Sequence, residues 1–158
     1  MSFAAQILDV ARKRKIMITC AESCTGGMIA AALTDVAGSS AMFDRGFVTY
    51  TNAAKREMLG VSEATLEAHG AVSEAVAREM AIGALSVSQA QIALSVTGIA
   101  GPGGSEHKPE GRVCFGLATL EKTHSETVEF GALGRASVRA AARDHGLSMI
   151  LTYFSQSA

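Results

Sequence analysis

The sequence predicts a three-layer α/β/α sandwich built on a mixed, mostly parallel sheet. Three observations carry that expectation. Apolar runs of strand length alternate with segments of helical periodicity. The last two strand-like runs are close enough to form a hairpin. The apolar residues are mostly small: 48% of the 158 residues are hydrophobic but only 5% aromatic, so Ala, Val, Ile, Leu and Met must fill the core. Such a core suits helices packed closely on a sheet. At this length a single domain spanning 1–158 is expected.

The elements follow in order. Phe3, Ile7, Leu8, Val10 and Ala11 recur at helical spacing, which predicts an amphipathic helix over 3–14. "KIMIT" is the first strand candidate, and "AESCTGG" follows it. A helix is expected from Thr25, with Gly38 as its stop. "FDRGFVTYT" reads as the second strand, and "NAAKREMLG" as a short helix with Asn52 at its N-cap and Gly60 past its end. Ser62 and Ser73 are two further N-caps, the second opening a helix to about Ser88. "QIALSVTG" is a strand of the buried type, and it empties into the polar loop "GIAGPGGSEHKPEG". "GRVCFGLATL" and "HSETVEFGAL" form the hairpin. A closing helix should dock Val138, Leu147, Ile150, Leu151 and Phe154 on the sheet.

Charge and composition exclude several classes. Fourteen basic against 15 acidic residues leave a formal net charge of -1, with no run of five like charges, so no nucleic-acid partner is expected. "RKRK", Arg12 to Lys15, reads as the solvated end of the first helix, where cations favour the dipole. No apolar run approaches the ~18 residues of a membrane span, and the first residues lack a secretory h-region. Three cysteines, an odd number, suit free thiols in a reducing cytoplasm.

Three strand exits carry the residues with chemistry. The first leads to Ser23, the second to Tyr50 and Lys55, the third to Thr97 and the glycines. If these strands are parallel, all three clusters meet at one sheet edge, where open α/β sheets bind ligands. Ser23 needs a base and oxyanion donors to act as a nucleophile. The amides of Cys24, Thr25, Gly26 and Gly27 are candidate donors, although Ser23 or Thr25 could equally cap the helix. Cys24 is a rival nucleophile, but successive side chains diverge, and of His69, His107, His124 and His145 only His107 has a path to the site. Cys20 and Cys114 read as small core residues. No metal site is expected, because Cys20 and Cys24 have no second tight pair.

Lys55 could serve as base only if its pKa fell by about 3 units from about 10.4; otherwise it is a solvated lysine beside Arg56. "TGIAGPGGS", with Thr97, Gly98 and Gly101, resembles an anion nest but lacks the lysine of a P-loop. Arg135 and Arg139 could clamp a phosphate or simply face solvent.

Together "AESCTGG", "GSSAMFDRGFVTYTNAAKREMLGV", "HGAVSEAVAREMAIGA" and "SVTGIAGPGGSEHKPEGRV" resemble the CinA C-terminal domain family, from about Ile7 to Tyr153. The resemblance implies a cytoplasmic amidohydrolase that takes nicotinamide mononucleotide to nicotinic acid mononucleotide and ammonia, in pyridine nucleotide recycling. It implies a serine–lysine chemistry without cofactor or metal, and a homo-oligomer. Ser23 matches the motif serine and Lys55 the lysine after "VTYTN", with Tyr50 beside it. The resemblance thereby favours Ser23 over Cys24. In the expected mechanism Lys55, through Tyr50, relays the proton, the amides of Cys24 to Gly27 hold the oxyanion, and Arg135 or Arg139 with the Gly98–Gly104 loop holds the phosphate and ribose. His107 and Lys108 have no assigned role. The competing expectations are a non-catalytic nucleotide-binding module linked with competence proteins and a Cys24-dependent hydrolase or thiol sensor.

Overall fold

A computed structural model describes residues 1–105 and 107–157; Glu106, in the glycine-rich loop, and Ala158 lie outside the described residues. A five-stranded sheet, ordered β2-β1-β3-β4-β5, is made by β1 (Ile18–Glu22), β2 (Phe43–Val48), β3 (Ile92–Gly98), β4 (Arg112–Thr119) and β5 (Thr123–Glu129). β1 pairs in parallel with both β2 and β3, and β4 runs antiparallel to β3 and β5. Four strands therefore point one way and β4 the other, as the expected mixed sheet requires.

The helices divide between the two faces. On one side lie α1 (Phe3–Arg14), α2 (Met28–Thr34) and the long α6 (Arg135–Gln156). Strand alternation sends Ile18, Cys20, Leu94, Val96, Val113, Phe115 and Leu117 into them, with Val138, Leu147, Ile150 and Phe154 of α6. On the other side lie α3 (Asn52–Leu59), α4 (Glu63–His69) and α5 (Glu74–Ser86). That face presents small groups, Ala21, Ala93, Ser95, Gly116 and Ala118, so α5 can bring Ala77 and Ala81 down onto the strands. The approach is close enough that Ser95 Oγ donates to the Ala77 carbonyl at 2.5 Å, and a Cβ on Gly116 would strike that same carbonyl.

Local chemistry sets the boundaries. Ser62 and Ser73 accept from the amides of Thr65 and Val76, as capping serines should. Arg12 to Arg14 form the last turn of α1, and Arg14 donates to the Phe154 carbonyl across the layer. Several expected boundaries move: the second helix ends at Thr34 rather than running to Gly38, and the second strand ends at Val48 rather than Thr51. The first strand runs to Glu22 rather than ending at Thr19, because the polar Thr19 and Glu22 are buried with side-chain partners. Thr51, not Asn52, caps α3, its hydroxyl accepting from the Ala54 amide. The second helix starts at Met28, because Gly26 and Gly27 take left-handed φ values of 58° and 107°.

Candidate active site

Parallel pairing brings the ends of β1, β2 and β3 together. Glu22 stands opposite Val48 on one side and Val96 on the other. The next residue, Ser23, donates its amide to the Val96 carbonyl at 2.9 Å, and Thr49 donates to the Glu22 carbonyl at 2.8 Å. The chain then turns from Thr49 into α3, whose first turn projects Lys55 back under the sheet edge. Lys55 is 1% exposed and Ser23 7%. Lys55 Nζ donates to Ser23 Oγ at 3.1 Å, to the Thr49 carbonyl at 3.0 Å and to the Tyr50 carbonyl at 3.3 Å. A hydroxyl and an amine thus lie in direct contact inside protein, at a distance suited to proton transfer.

Neither residue's expected neighbourhood is quite as the sequence suggests. Tyr50 gives Lys55 only its main-chain carbonyl. Its ring is exposed, and its hydroxyl accepts from Arg135 Nη2 at 2.9 Å. Glu22, which sequence reasoning passed over, is buried, and its carboxylate accepts from Thr25 Oγ1 and from the amides of Gly27, Ile29 and Ala30. Gly26 donates its amide to the Ser23 carbonyl. Of the four amides expected to face a substrate, those of Gly26 and Gly27 are therefore engaged, and those of Cys24 and Thr25 remain.

Arg139 Nε donates to the Cys24 carbonyl at 3.0 Å and its Nη2 to the Thr25 carbonyl at 3.3 Å. It braces the turn. Cys24 lines the cleft, but burial pushes its thiol up to about 11; the Glu22 charge adds to that rise, while its own amide and the Arg139 charge oppose it. A thiol so held is protonated near neutrality and a poor nucleophile. Cys20 and Cys114 are buried free thiols in the core, both raised chiefly by burial.

The cleft over Ser23 has a volume of about 160 Å³ and is walled by Tyr50, Asn52, Lys55, Val72, Thr97 and Arg135, among others. It opens into a second hollow of about 290 Å³ formed by the Gly98–Ser105 loop, which shares Tyr50, Gly98 and Arg135 with it. Thr97 donates its hydroxyl to the carbonyl of Ala71, another wall residue. Gly98 is needed for packing against β4, since a Cβ there would strike Val113 and the Arg112 carbonyl. Arg135 Nη1 donates to the Gly101 carbonyl at 2.7 Å, which sets the guanidinium between loop and Tyr50.

The loop is tied down by its own charges. Gly103 donates to Glu110 Oε2, and Lys108 Nζ donates to the carbonyls of His69 and Val72 at 2.6 Å each. Lys108 thus anchors the loop to the α4–α5 connection. His107 is exposed and does not line either hollow. Among the described residues no cluster of three or more His, Cys, Asp or Glu could hold a metal ion, and no helix is long and apolar enough to cross a membrane.

Comparison with known proteins gives the family. The CinA C-terminal domain model matches residues 1–154. The nicotinamide-nucleotide amidohydrolase PncC of Escherichia coli K12 is 48% identical, covering 99% of this chain and 96% of that protein. The protein of the same name from Enterobacter agglomerans is 69% identical over 64% of this chain, a match that spans only 62% of that relative's length. Among solved structures, a competence/damage inducible protein from Agrobacterium tumefaciens superposes with a TM-score of 0.92 at 47% identity, covering 95% of this chain and 92% of that one.

Proposed function

The chain belongs to the CinA C-terminal domain family, and from that premise we propose that it is a nicotinamide-nucleotide amidohydrolase working through Ser23 with Lys55 as base. The relatives named PncC support the activity and substrate class. The mechanism rests on one observation, the buried 3.1 Å contact between Lys55 Nζ and Ser23 Oγ.

A neutral amine has two N–H bonds and one lone pair. In that neutral form the contact with Ser23 reverses: the carbonyls of Thr49 and Tyr50 take the two hydrogens, and the lone pair accepts from the Ser23 hydroxyl and takes its proton. As Ser23 Oγ bonds to the carboxamide carbon, its proton passes to Lys55 and the carbonyl π pair moves onto oxygen. The Cys24 amide, at the cleft wall, is the donor we assign to that oxyanion. Collapse re-forms the carbonyl, breaks the C–N bond and returns the Lys55 proton to the departing nitrogen, which leaves as ammonia. Water then adds to the ester, giving a proton to Lys55, and Ser23 leaves with it as the acid forms.

Arg135, with the Gly98–Ser105 hollow, is our candidate for phosphate and ribose, since it lines both hollows. Arg139 is not, since its hydrogen bonds go to the Cys24 and Thr25 carbonyls. We place the enzyme in the cytoplasm, where three reduced thiols suit the compartment, and in pyridine nucleotide recycling. The test is ammonia release from nicotinamide mononucleotide by the purified chain, with EDTA present, beside Ser23→Ala. Release by the parent alone is expected. Equal release by both would remove Ser23 as nucleophile. Silence from both, with the nucleotide still bound, would favour a binding module.

A further inference from the structure

Glu22 is 1% exposed at the end of β1, yet a buried carboxylate is costly unless every lone pair is matched. Here the matching is unusually full. Oε1 accepts from Thr25 Oγ1 at 2.6 Å, Ile29 N at 2.9 Å and Gly27 N at 3.2 Å; Oε2 accepts from Ala30 N at 3.0 Å and faces Cys20 Sγ at 3.6 Å. The donors are mainly the orphan amides at the start of α2, whose N-cap, Gly27, has no side chain to satisfy them. The amides at the start of α2 are therefore taken by the protein's own carboxylate and carbonyls, which leaves none there for a substrate anion.

The turn between Ser23 and this cap is restrained from the other side. The Ser23 carbonyl accepts from Gly26 N, the Cys24 carbonyl from Arg139, and the Thr25 carbonyl from both Met28 N and Arg139. In a trans peptide the C=O and N–H point opposite ways. Fixing the Ser23 and Cys24 carbonyls therefore aims the amides of Cys24 and Thr25 to the other side. Among the described residues the Cys24 amide reaches only its own thiol, and the Thr25 amide finds no acceptor. Yet Cys24 is 4% exposed and Thr25 0%. Buried amides without acceptors are rare in proteins, and of these two the Cys24 amide, whose residue lines the cleft over Ser23, is the one a ligand oxygen can reach.

We propose that Glu22 is a positioning residue for amide hydrolysis: by gripping the Thr25 hydroxyl and the α2 amides together, it holds the Cys24–Thr25 turn so that the Cys24 amide, at the cleft wall, is presented to the substrate's carbonyl oxygen. The inference rests on the amidohydrolase reading above. It differs from simple helix capping because the same oxygen that caps the helix also holds Thr25, one residue beyond Cys24. Loosening that grip should weaken stabilisation of the oxyanion, which forms only in the transition state, and spare ground-state binding of the nucleotide.

Glu22→Gln tests this. The amide isostere has one acceptor oxygen, so its NH2 must face an amide donor whichever way it is turned. The expected result is a fall in kcat of about 10²-fold, the size of losing an oxyanion donor, with KM within about 3-fold of the parent. Labelling of Ser23 by a fluorophosphonate, followed by intact mass, should slow in parallel, since that reaction needs the same donor and no amide substrate. A folded Glu22→Gln with kcat within 2-fold of the parent overturns the proposal. So does a change confined to KM or to melting temperature. If Glu22→Gln does not fold, Thr25→Val and Thr25→Ser decide. Loss of kcat by about 10-fold in the first and recovery in the second support the grip, and equal activity in both rejects it. A parent that neither releases ammonia nor takes the label overturns the amidohydrolase reading, and this inference with it.

Discussion

Two hollows in this molecule invite comparison. The larger, about 610 Å³, lies between β5 and the second half of α6, with Arg78, His124, Glu126, His145 and Tyr153 in its walls. The smaller, about 160 Å³, lies over Ser23. Volume alone would send a chemist to the first. But its polar groups are half in solvent and satisfy one another: His124 and His145 both meet Glu126, at 2.7 and 2.6 Å, and the His145 ring lies 4.6 Å from that of Phe115. In the second, the Ser23 hydroxyl and the Lys55 amine are nine-tenths buried and touching, and among the described residues the Cys24 amide beside them reaches no acceptor but its own thiol. Chemistry needs preorganised groups with unspent hydrogen-bonding capacity, and only the smaller hollow has them.

The largest expected effects test that contrast directly. Ser23→Ala should lower kcat for nucleotide deamidation by at least about 10³-fold, and Lys55→Met by a similar amount, because nucleophile and base act as one unit. The double variant should be scarcely worse than either single one. If the losses multiply, as for independent groups, the contact is structural. Met fills most of the space of the buried lysine stem, so a cooperative melt near that of the parent is the control for folding.

Next in size come the groups at the mouth. Arg135→Ala should raise KM for the nucleotide by about 10-fold with little change in kcat, as loss of a charge-assisted contact to phosphate predicts. Tyr50→Phe removes the hydroxyl that accepts from Arg135 and leaves the carbonyl on Lys55. A KM change of a few-fold is expected. A kcat loss as deep as that of Lys55→Met would instead restore the tyrosine hydroxyl as a proton relay.

Much of this arrangement was legible in the chain, and the illegible parts share a cause. The span of α1, the serine caps at Ser62 and Ser73 and the convergence of three strand exits all follow from periodicity and short-range rules, which the chain spells out locally. Arg139 could not be read this way: its acceptors, the Cys24 and Thr25 carbonyls, are 115 and 114 residues away. Glu22 offered a faint signal. "ESCTGG" opens a helix on glycines with no capping side chain of its own, so its amides must be met from elsewhere, and an acid just upstream is the obvious source. A glutamate at a strand end otherwise reads as solvated, which hides that signal. The Gly98–Gly104 loop looked like a nest, but Glu110, a few residues on, already takes the Gly103 amide.

Cys24 sharpens the comparison from inside the smaller hollow. With its thiol pushed up to about 11, against an ordinary value near 8.5, the thiolate fraction at pH 7.5 falls by roughly two orders of magnitude or more. Iodoacetamide should leave activity unchanged over a time that fully alkylates an exposed cysteine, and Cys24→Ala should keep kcat within a few-fold. Rapid inactivation at pH 7.5, prevented in Cys24→Ala, would reopen the thiol reading.

The smallest effect belongs to the larger hollow. Burial raises the Glu126 carboxyl, but hydrogen bonds and charge from His124 and His145 outweigh it, and the net direction is down. A carboxyl lowered in the folded state stabilises above its unfolded pKa and loses that contribution as pH falls through the folded value. The pair is partly exposed and screened, so Glu126→Gln should lower Tm by only about 2–4 °C or less near pH 6–7. That gap should close as the medium is acidified through and below the ordinary carboxylate range, about pH 4. Deamidation should be unaffected throughout. If Glu126→Gln instead abolished turnover while Ser23→Ala spared it, the two hollows would have to exchange roles.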